Sequence, residues 1–235
     1  MTTYNFPEGE LLLINKPATW TSFDVVNRIK KMIKKAVKVK VKVGHAGTLD
    51  PLATGLLIVC TGKFTKKIDE YQALEKEYTG TFTIGATTPS FDGETLVDKT
   101  YPVEHITNEA IIKASEQFIG ETGQIPPIYS AMKIDGERAY RLARRGEETE
   151  IKSRTIFIRE FEITDVRSEN ELLYVDFRVI CSKGTYIRSL ARDFGVALGS
   201  GAYLTRLCRT KIGDFILKNS LTLDELKDSI VPLEK

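Results

Sequence analysis

Residues 44–55 read GHAGTLDPLATG. They stand between the alternating run VKVKVKV (37–43) and the apolar run LLIVC (56–60). Three glycines make the loop permissive at some positions, and Pro51 stiffens it at another. It holds one carboxylate, Asp50, and one histidine, His45. Taken alone, an Asp before a Pro is a turn former or a helix cap. The flank asks for more. From Val25 to Leu49 there are eight Lys or Arg and no acid. A solvated helix and edge strand would explain such a run by itself, since outward lysines also deter edge pairing. Leading straight into Asp50, it suits a polyanion whose phosphates are gripped while the acid does chemistry. A second basic group, ERAYRLARRG (137–146), adds Arg138, Arg141, Arg144 and Arg145 around Tyr140.

Upstream, ELLLIN reads as a short buried strand and KPATWTS as a loop broken by Pro17. Thr21 with Asp24 forms a capping box. Phe23, Val26, Ile29 and Ile33 recur at helical spacing, which predicts a helix to about Lys35. VKVKVKV predicts a half-buried strand, valines inward and lysines outward. Downstream, GLLIVCTG reads as a central strand. KEYTGTFTIGATT alternates, with Tyr78, Phe82 and Ile84 on one face, and a polar loop TPSFDGETLVD follows. TNEAIIKASEQFIG is a capped helix stopped by Gly120. QIPPIYSAMKIDG has too many prolines for a regular element, and ERAYRLARRG is a short basic helix stopped by Gly146. RTIFIREFEI and ELLYVDFRVICS are neighbouring strands. GTYIRSLARDFGVALG is a helix, AYLTRLCRT a strand, and TLDELKDSI a last helix capped by Thr222 and Glu225. No regular βαβ rhythm appears, so the pattern favours α+β with a large mixed sheet.

The 235 residues suit one large domain, or one domain with an appendage, and are ample for a sizeable core. Net charge is +2, so any argument for a nucleic-acid partner is local. Cys60, Cys181 and Cys208 are three, far apart and without CxxC spacing. They read as reduced thiols of a cytosolic protein, not a disulfide framework or zinc site. The N-terminus has no signal-peptide pattern and no apolar run is long enough to span a bilayer. With two histidines, His45 and His105, a His-rich metal site is excluded.

GHAGTLDPLATG resembles, nearly letter for letter, the catalytic motif of the tRNA pseudouridine synthase B (TruB) family. Further matches follow in order. KPATWTSFDVV resembles the family's first motif, and EKEYTGTFTIGATTPSFDGE its tyrosine strand and acidic loop. IPPIYSAMKIDGERAYRLARRG is similar to its thumb-like segment, and CSKGTYIRSLARDFG and LTRLCRTKIGDF to its last two motifs. The resemblance covers about residues 10 to 216.

What it implies is an isomerase with a pseudouridine-synthase-like catalytic domain. Its large, mostly antiparallel mixed sheet would be flanked by helices, and residues 1–235 would form a single domain without a C-terminal PUA domain. The implied substrate is the uridine at position 55 of tRNA, in the T stem-loop. Neither cofactor nor metal is expected, because the reaction adds nothing and changes no oxidation state. Asp50 matches the catalytic aspartate, which attacks a carbon as nucleophile or removes a proton. Arg188 matches the arginine that keeps this carboxylate charged and oriented. Tyr78 matches the tyrosine on which the flipped uracil stacks, with a hydroxyl placed to help move the C5 proton. Tyr186 matches a residue bordering the uracil, Leu207 an apolar wall, and His45 the histidine that fills space vacated by the flipped base. Lys16 and Lys66 match motif lysines that touch RNA or brace the site. Lys38, Lys40, Lys42, Arg144 and Arg145 are the expected phosphate contacts. A cytoplasmic monomer is expected.

Two departures stand out: the family often has glycine where Thr19 stands and arginine where Cys208 stands. The rival readings are a non-catalytic RNA-binding protein on the same scaffold and a hydrolase with an Asp nucleophile. The first predicts loss of Asp50, Tyr78 or Arg188, all of which are present. The second needs another acid or water-activating base in the motif, which GHAGTLDPLATG lacks.

Overall fold

The computed structural model describes residues 4–129, 133–134, 137–138, 145 and 151–230. The fold is α+β, with a nine-stranded mixed sheet in which most pairings are antiparallel. The chain divides into two compact units: Met1–Tyr78 with Leu207–Lys235, and Thr79–Arg206.

The first unit contains β1 (Leu11–Lys16), α1 (Ser22–Val37), β2 (Val43–His45), β3 (Thr54–Thr61), α2 (Ile68–Ala73) and the start of β4 (Lys76–Ile84). The end of β12 (Ala202–Ile212), then β13 (Phe215–Ile216) and α5 (Leu223–Ser229), complete it. β3 runs antiparallel to β1 and β2 and parallel to β12. It is buried from Gly55 to Thr61, as a continuous apolar run in a covered strand should be. Its alternate side chains serve two cores. Leu57 and Val59 pack with Val25, Val26, Ile29 and Ile33 of α1 and Leu226 of α5. Leu56, Ile58 and Cys60 cluster with Ala46 and Ile212, against Ile68 and Tyr71.

Both expected capping boxes are present, at Thr21 with Asp24 and Thr222 with Glu225. Each is worth about 1 kcal/mol to its helix. Thr19 takes φ +68°, a left-handed conformation that costs a β-branched residue about 1–2 kcal/mol. The first loop therefore keeps the turn that a glycine would make there.

The second unit contains the rest of β4, then β5 (Ala86–Thr87), β6 (Lys99–Thr100), α3 (Asn108–Glu116), β7 (Gly120–Gln124), β8 (Lys133–Ile134) and β9 (Glu137–Arg138). β10 (Arg154–Glu169), β11 (Leu172–Cys181) and α4 (Ile187–Ala197) follow. Its strands lie in the order β4, β11, β10, β7. β10 and β11 pair as expected, joined through Asn170 and Glu171. Both turn residues have positive φ, the geometry that matches strand twist in a tight hairpin. The core is aromatic: Phe82 stacks on Phe177 at 4.1 Å between ring centres, and Phe161 and Phe194 pack around them.

Four local expectations are corrected. VKVKVKV is not a strand. Helix α1 runs through Val37 and closes on Lys38, left-handed at φ 57°, whose N–H bonds Lys34 O. Only Val43 of the run joins β2, and Val39 is 50% exposed. Phe23 is 62% exposed, beside the Lys30 ammonium at 5.9 Å, because the buried stripe of α1 passes through Ser22, Val25, Val26 and Ile29. α3 ends before Gly120. Gln117, Phe118 and Ile119 each bond a carbonyl three residues back, which tightens the turn, and Gly120 opens β7. Lys133–Ile134 and Glu137–Arg138 pair as short strands, where a proline-rich loop and a helix start were expected. Apart from the exposed Arg145, the rest of that basic stretch, with Arg144, lies outside the described residues. No helix among the described residues is long and apolar enough to cross a membrane.

Candidate active site

The candidate residues fall into two sets. His45, Asp50, Tyr78 and Leu207 belong to the first unit, Tyr186 and Arg188 to the second.

Asp50 is half-buried, in the loop between β2 and β3. Three buried side chains pin that loop. Ser22 Oγ, in the first turn of α1, accepts from Leu49 N at 2.8 Å and donates to Leu49 O at 3.1 Å. Lys16 Nζ, at the end of β1, donates to Pro51 O at 3.2 Å, and to Pro17 O and Trp20 O at 2.8 and 2.7 Å. Arg209, on β12, donates from Nε to Leu56 O at 2.8 Å and from Nη2 to Gly47 O at 3.1 Å. The neighbours of Asp50 on both sides are thus held, and backbone carbonyls that would otherwise be stranded are satisfied. At the loop's end Gly55 takes φ +101°, and a Cβ there would sit 2.4 Å from Arg209 O. Its glycine admits the neighbouring strand.

Lys16 is wholly buried. Burial is the main influence on its amine and lowers it to about 8. The negative charge of Asp50 works the other way, and the Arg209 guanidinium adds to the lowering. At neutral pH it remains mostly an ammonium that Asp50 attracts. Its donors are taken by three backbone carbonyls. Burial, then Arg209, hold the His45 imidazole below its ordinary range, so it is neutral at physiological pH. Tyr78 is 8% exposed in β4, on the face it shares with Phe82 and Ile84. Leu207 is half-buried, and its carbonyl accepts from Thr54 Oγ1 at 3.3 Å. Cys208 is half-buried and pairs with Thr54 in register. Lys38, Lys40, Lys42, Lys66 and Arg145 are exposed.

In the second unit Arg188 is 3% exposed, in the first turn of α4. Its Nη1 donates to Ser90 O at 3.3 Å and its Nη2 to Tyr129 O at 3.0 Å. Its Nε lies 3.5 Å from Asp92 Oδ2. Asp92 is itself buried and accepts from Ser90 Oγ at 2.6 Å and Glu94 N at 2.9 Å. The acidic loop therefore locks the guanidinium in one orientation. Tyr186, just before α4, is fixed through its backbone. Its N–H donates to Gln124 Oε1 at 2.8 Å, and its carbonyl accepts from Gln124 Nε2 at 3.1 Å. The Arg154 guanidinium lies over its ring at 5.8 Å.

Ser22, Asp92, Gln124 and Arg209 escape a sequence reading. Ser22, Asp92 and Arg209 sit in motifs and Gln124 just before one, yet the partner of each lies far along the chain, and a strand arginine ordinarily faces solvent. Arg209→Met is expected to strand two carbonyls and cost about 3 kcal/mol. That is a fall of roughly 6–12 °C in Tm for a chain of this size. Arg209→Lys, which retains the charge and part of the hydrogen bonding, should lose less. A melting temperature unchanged within a degree in Arg209→Met would show that the guanidinium braces nothing.

Residues 34–187 match the N-terminal domain of the TruB family pseudouridylate synthases, and residues 188–235 match a tRNA pseudouridylate synthase B C-terminal domain. Among curated relatives, the chain is 56% identical over 232 residues to a tRNA pseudouridine synthase B of Flavobacterium johnsoniae, covering 98% of this chain and 100% of that one. It is 55% identical to the protein of the same name from Phocaeicola vulgatus, covering 95% and 94%. Among solved structures it resembles a Cbf5-Nop10-Gar1 complex, with TM-score 0.68 and 29% identity, over 95% of this chain and 54% of that one. An H/ACA RNP bound to a substrate RNA containing 2′-deoxyuridine gives TM-score 0.68 and 27% identity, over 95% and 53%.

Proposed function

The chain belongs to the TruB family of pseudouridylate synthases and is an isomerase that makes pseudouridine in tRNA; on that premise we propose that its target is the uridine at position 55, in the T stem-loop, with Asp50 as the reacting carboxylate. The observation that carries this reading is the pinned loop. Ser22, Lys16 and Arg209 hold Leu49, Pro51, Gly47 and Leu56, while Asp50 stays half-exposed. A reacting group held by buried neighbours starts near its attack geometry, and loosening it by about 1 Å can cost roughly 10²-fold in rate.

The reaction breaks the uridine C1′–N1 bond, turns the uracil and closes a C1′–C5 bond, while the C5 hydrogen is replaced by one on nitrogen. Atoms and electrons balance within the substrate and solvent protons. Asp50 acts on the ribose or the base, as nucleophile or as proton acceptor, and needs its charge for either. The attraction between Asp50 and the Lys16 ammonium favours that charge. Tyr78 supplies the stacking face for the extruded uracil. Arg188 supplies a guanidinium already oriented by Asp92, Ser90 and Tyr129. Neutral His45 suits insertion into the RNA loop, where a charged imidazole would be harder to desolvate. Tyr186 and Leu207 border the base. Extrusion costs roughly a few kcal/mol of unstacking, which phosphate contacts offset. Cys60 and Cys181, buried and in no disulfide, suit a reducing cytoplasm, and the chain is taken to act there as a monomer.

The test uses unmodified tRNA transcripts and a chemical or chromatographic assay, because pseudouridine has the mass of uridine. One pseudouridine per tRNA is expected, at position 55, and none in a transcript carrying cytidine there. Product that persists in the cytidine transcript would overturn the assignment of position.

A further inference from the structure

We propose that the outer face of α1 and the segment that follows it form a rail that grips the phosphate backbone of the RNA stem flanking the target loop. The proposal rests on the tRNA reading above and extends it from the target base to the surface that holds the stem. Arg28, Lys31, Lys34, Lys35, Lys38, Lys40 and Lys42 are exposed, and Lys30 is half-buried. None of these eight is in an ion pair among the described residues.

The long hairpin of β10 and β11, by contrast, pairs exposed charges. On β10 and β11, Arg159 meets Glu160, Arg167 meets Asp165 and Asp176, and Arg178 meets Glu160 and Glu162. Along α1 the charges instead repel. Lys30 with Lys34 and Lys31 with Lys35 are like charges four apart, each pair destabilising a helix by about 0.2–0.5 kcal/mol. The helix dipole accounts for the two lysines of the last turn, Lys34 and Lys35, but not for eight cations. A stretch that keeps this penalty and has no acid from Val25 to Leu49 fits an anionic partner with regularly spaced charges.

Position identifies the partner. Ser22, in the first turn of α1, is bonded to Leu49, next to Asp50. At about 1.5 Å of rise per residue, the cations of the helix begin ~9 Å along its axis from Ser22 and continue to ~20 Å. A polynucleotide with one base at Asp50 has its neighbouring helical segment over this face. A duplex presents phosphates at that spacing regardless of sequence, and double-stranded RNA is held mainly through shape and backbone.

The test measures binding against salt for the wild type and for a variant carrying Lys31→Gln, Lys34→Gln, Lys35→Gln and Lys40→Gln. Gln is close to Lys in helix propensity, and removing like charges relieves repulsion, so the variant should melt at or above the wild-type temperature. For a T stem-loop the slope of log affinity against log salt should fall by about 3, from four contacts of 0.7–0.9 each. Affinity at low salt should fall at least about tenfold. For the loop nucleotides alone, without the stem, the slope should barely change. An unchanged slope with the stem-loop would overturn the proposal. So would an equal fall with the loop alone, which would place the lysines on the loop and not the stem. Binding of the wild type, but not the variant, to phosphatidylserine vesicles, with both giving the same RNA slope, would assign the surface to a membrane and overturn it too. These slopes are read without turnover, so failure to make pseudouridine at position 55 would fail the function assignment and leave this measurement intact.

Discussion

Asp50→Asn is expected to lower single-turnover conversion at least about 10⁴-fold, ~5 kcal/mol of barrier, while leaving tRNA binding within about tenfold. The substitution keeps the shape of the side chain and removes its charge. The backbone on either side keeps its bonds from Ser22, Lys16 and Arg209, which go to main-chain atoms. The substitution also removes the charge that attracts the buried Lys16 ammonium, so the variant's melting temperature is part of the measurement. The measurement is product formation at saturating enzyme, with the variant purified free of wild-type protein and its melting temperature recorded. Substantial conversion by such a preparation would remove Asp50 from the chemistry and return it to the turn-forming role of an Asp before a Pro.

Tyr78→Leu should lose both base capture and conversion, while Tyr78→Phe should still bind RNA well. Stacking on an aromatic face is worth about 1–3 kcal/mol per base, and phenylalanine supplies the same face. If the hydroxyl also moves the C5 proton, Tyr78→Phe slows single-turnover conversion sharply, and a substrate deuterated at C5 shows a larger isotope effect than with wild type. Normal rates for Tyr78→Phe would remove the proton-transfer role and leave stacking. Normal rates for Tyr78→Leu, in a protein that melts like wild type, would remove both. The tyrosine would then be only a core residue, which its 8% exposure and its face shared with Phe82 and Ile84 would also permit.

The parts that local chemistry decides were legible without coordinates. The capping boxes at Thr21 and Thr222 need only residues three apart, and both formed. The apolar run at 56–60, short and flanked by glycines, reads as a central strand, and β3 is one. The order of motifs around GHAGTLDPLATG identified the family, because so many specific residues in one order leave little room for coincidence. VKVKVKV shows where local pattern stops being sufficient. Its alternation suits a strand, but α1 had already begun, its hydrogen bonds ran on through Val37, and Lys38 turned left-handed to end them. The fate of the cations was decided by tertiary structure alone. Lys16, Arg188 and Arg209 are no different in sequence from the exposed lysines of α1, yet all three are buried. Arg209 meets Leu56 from 153 positions away and Lys16 meets Pro51 from 35. A cation leaves water only when enough carbonyls or carboxylates converge on it to replace that water, and that convergence exists only once the strands have been brought side by side.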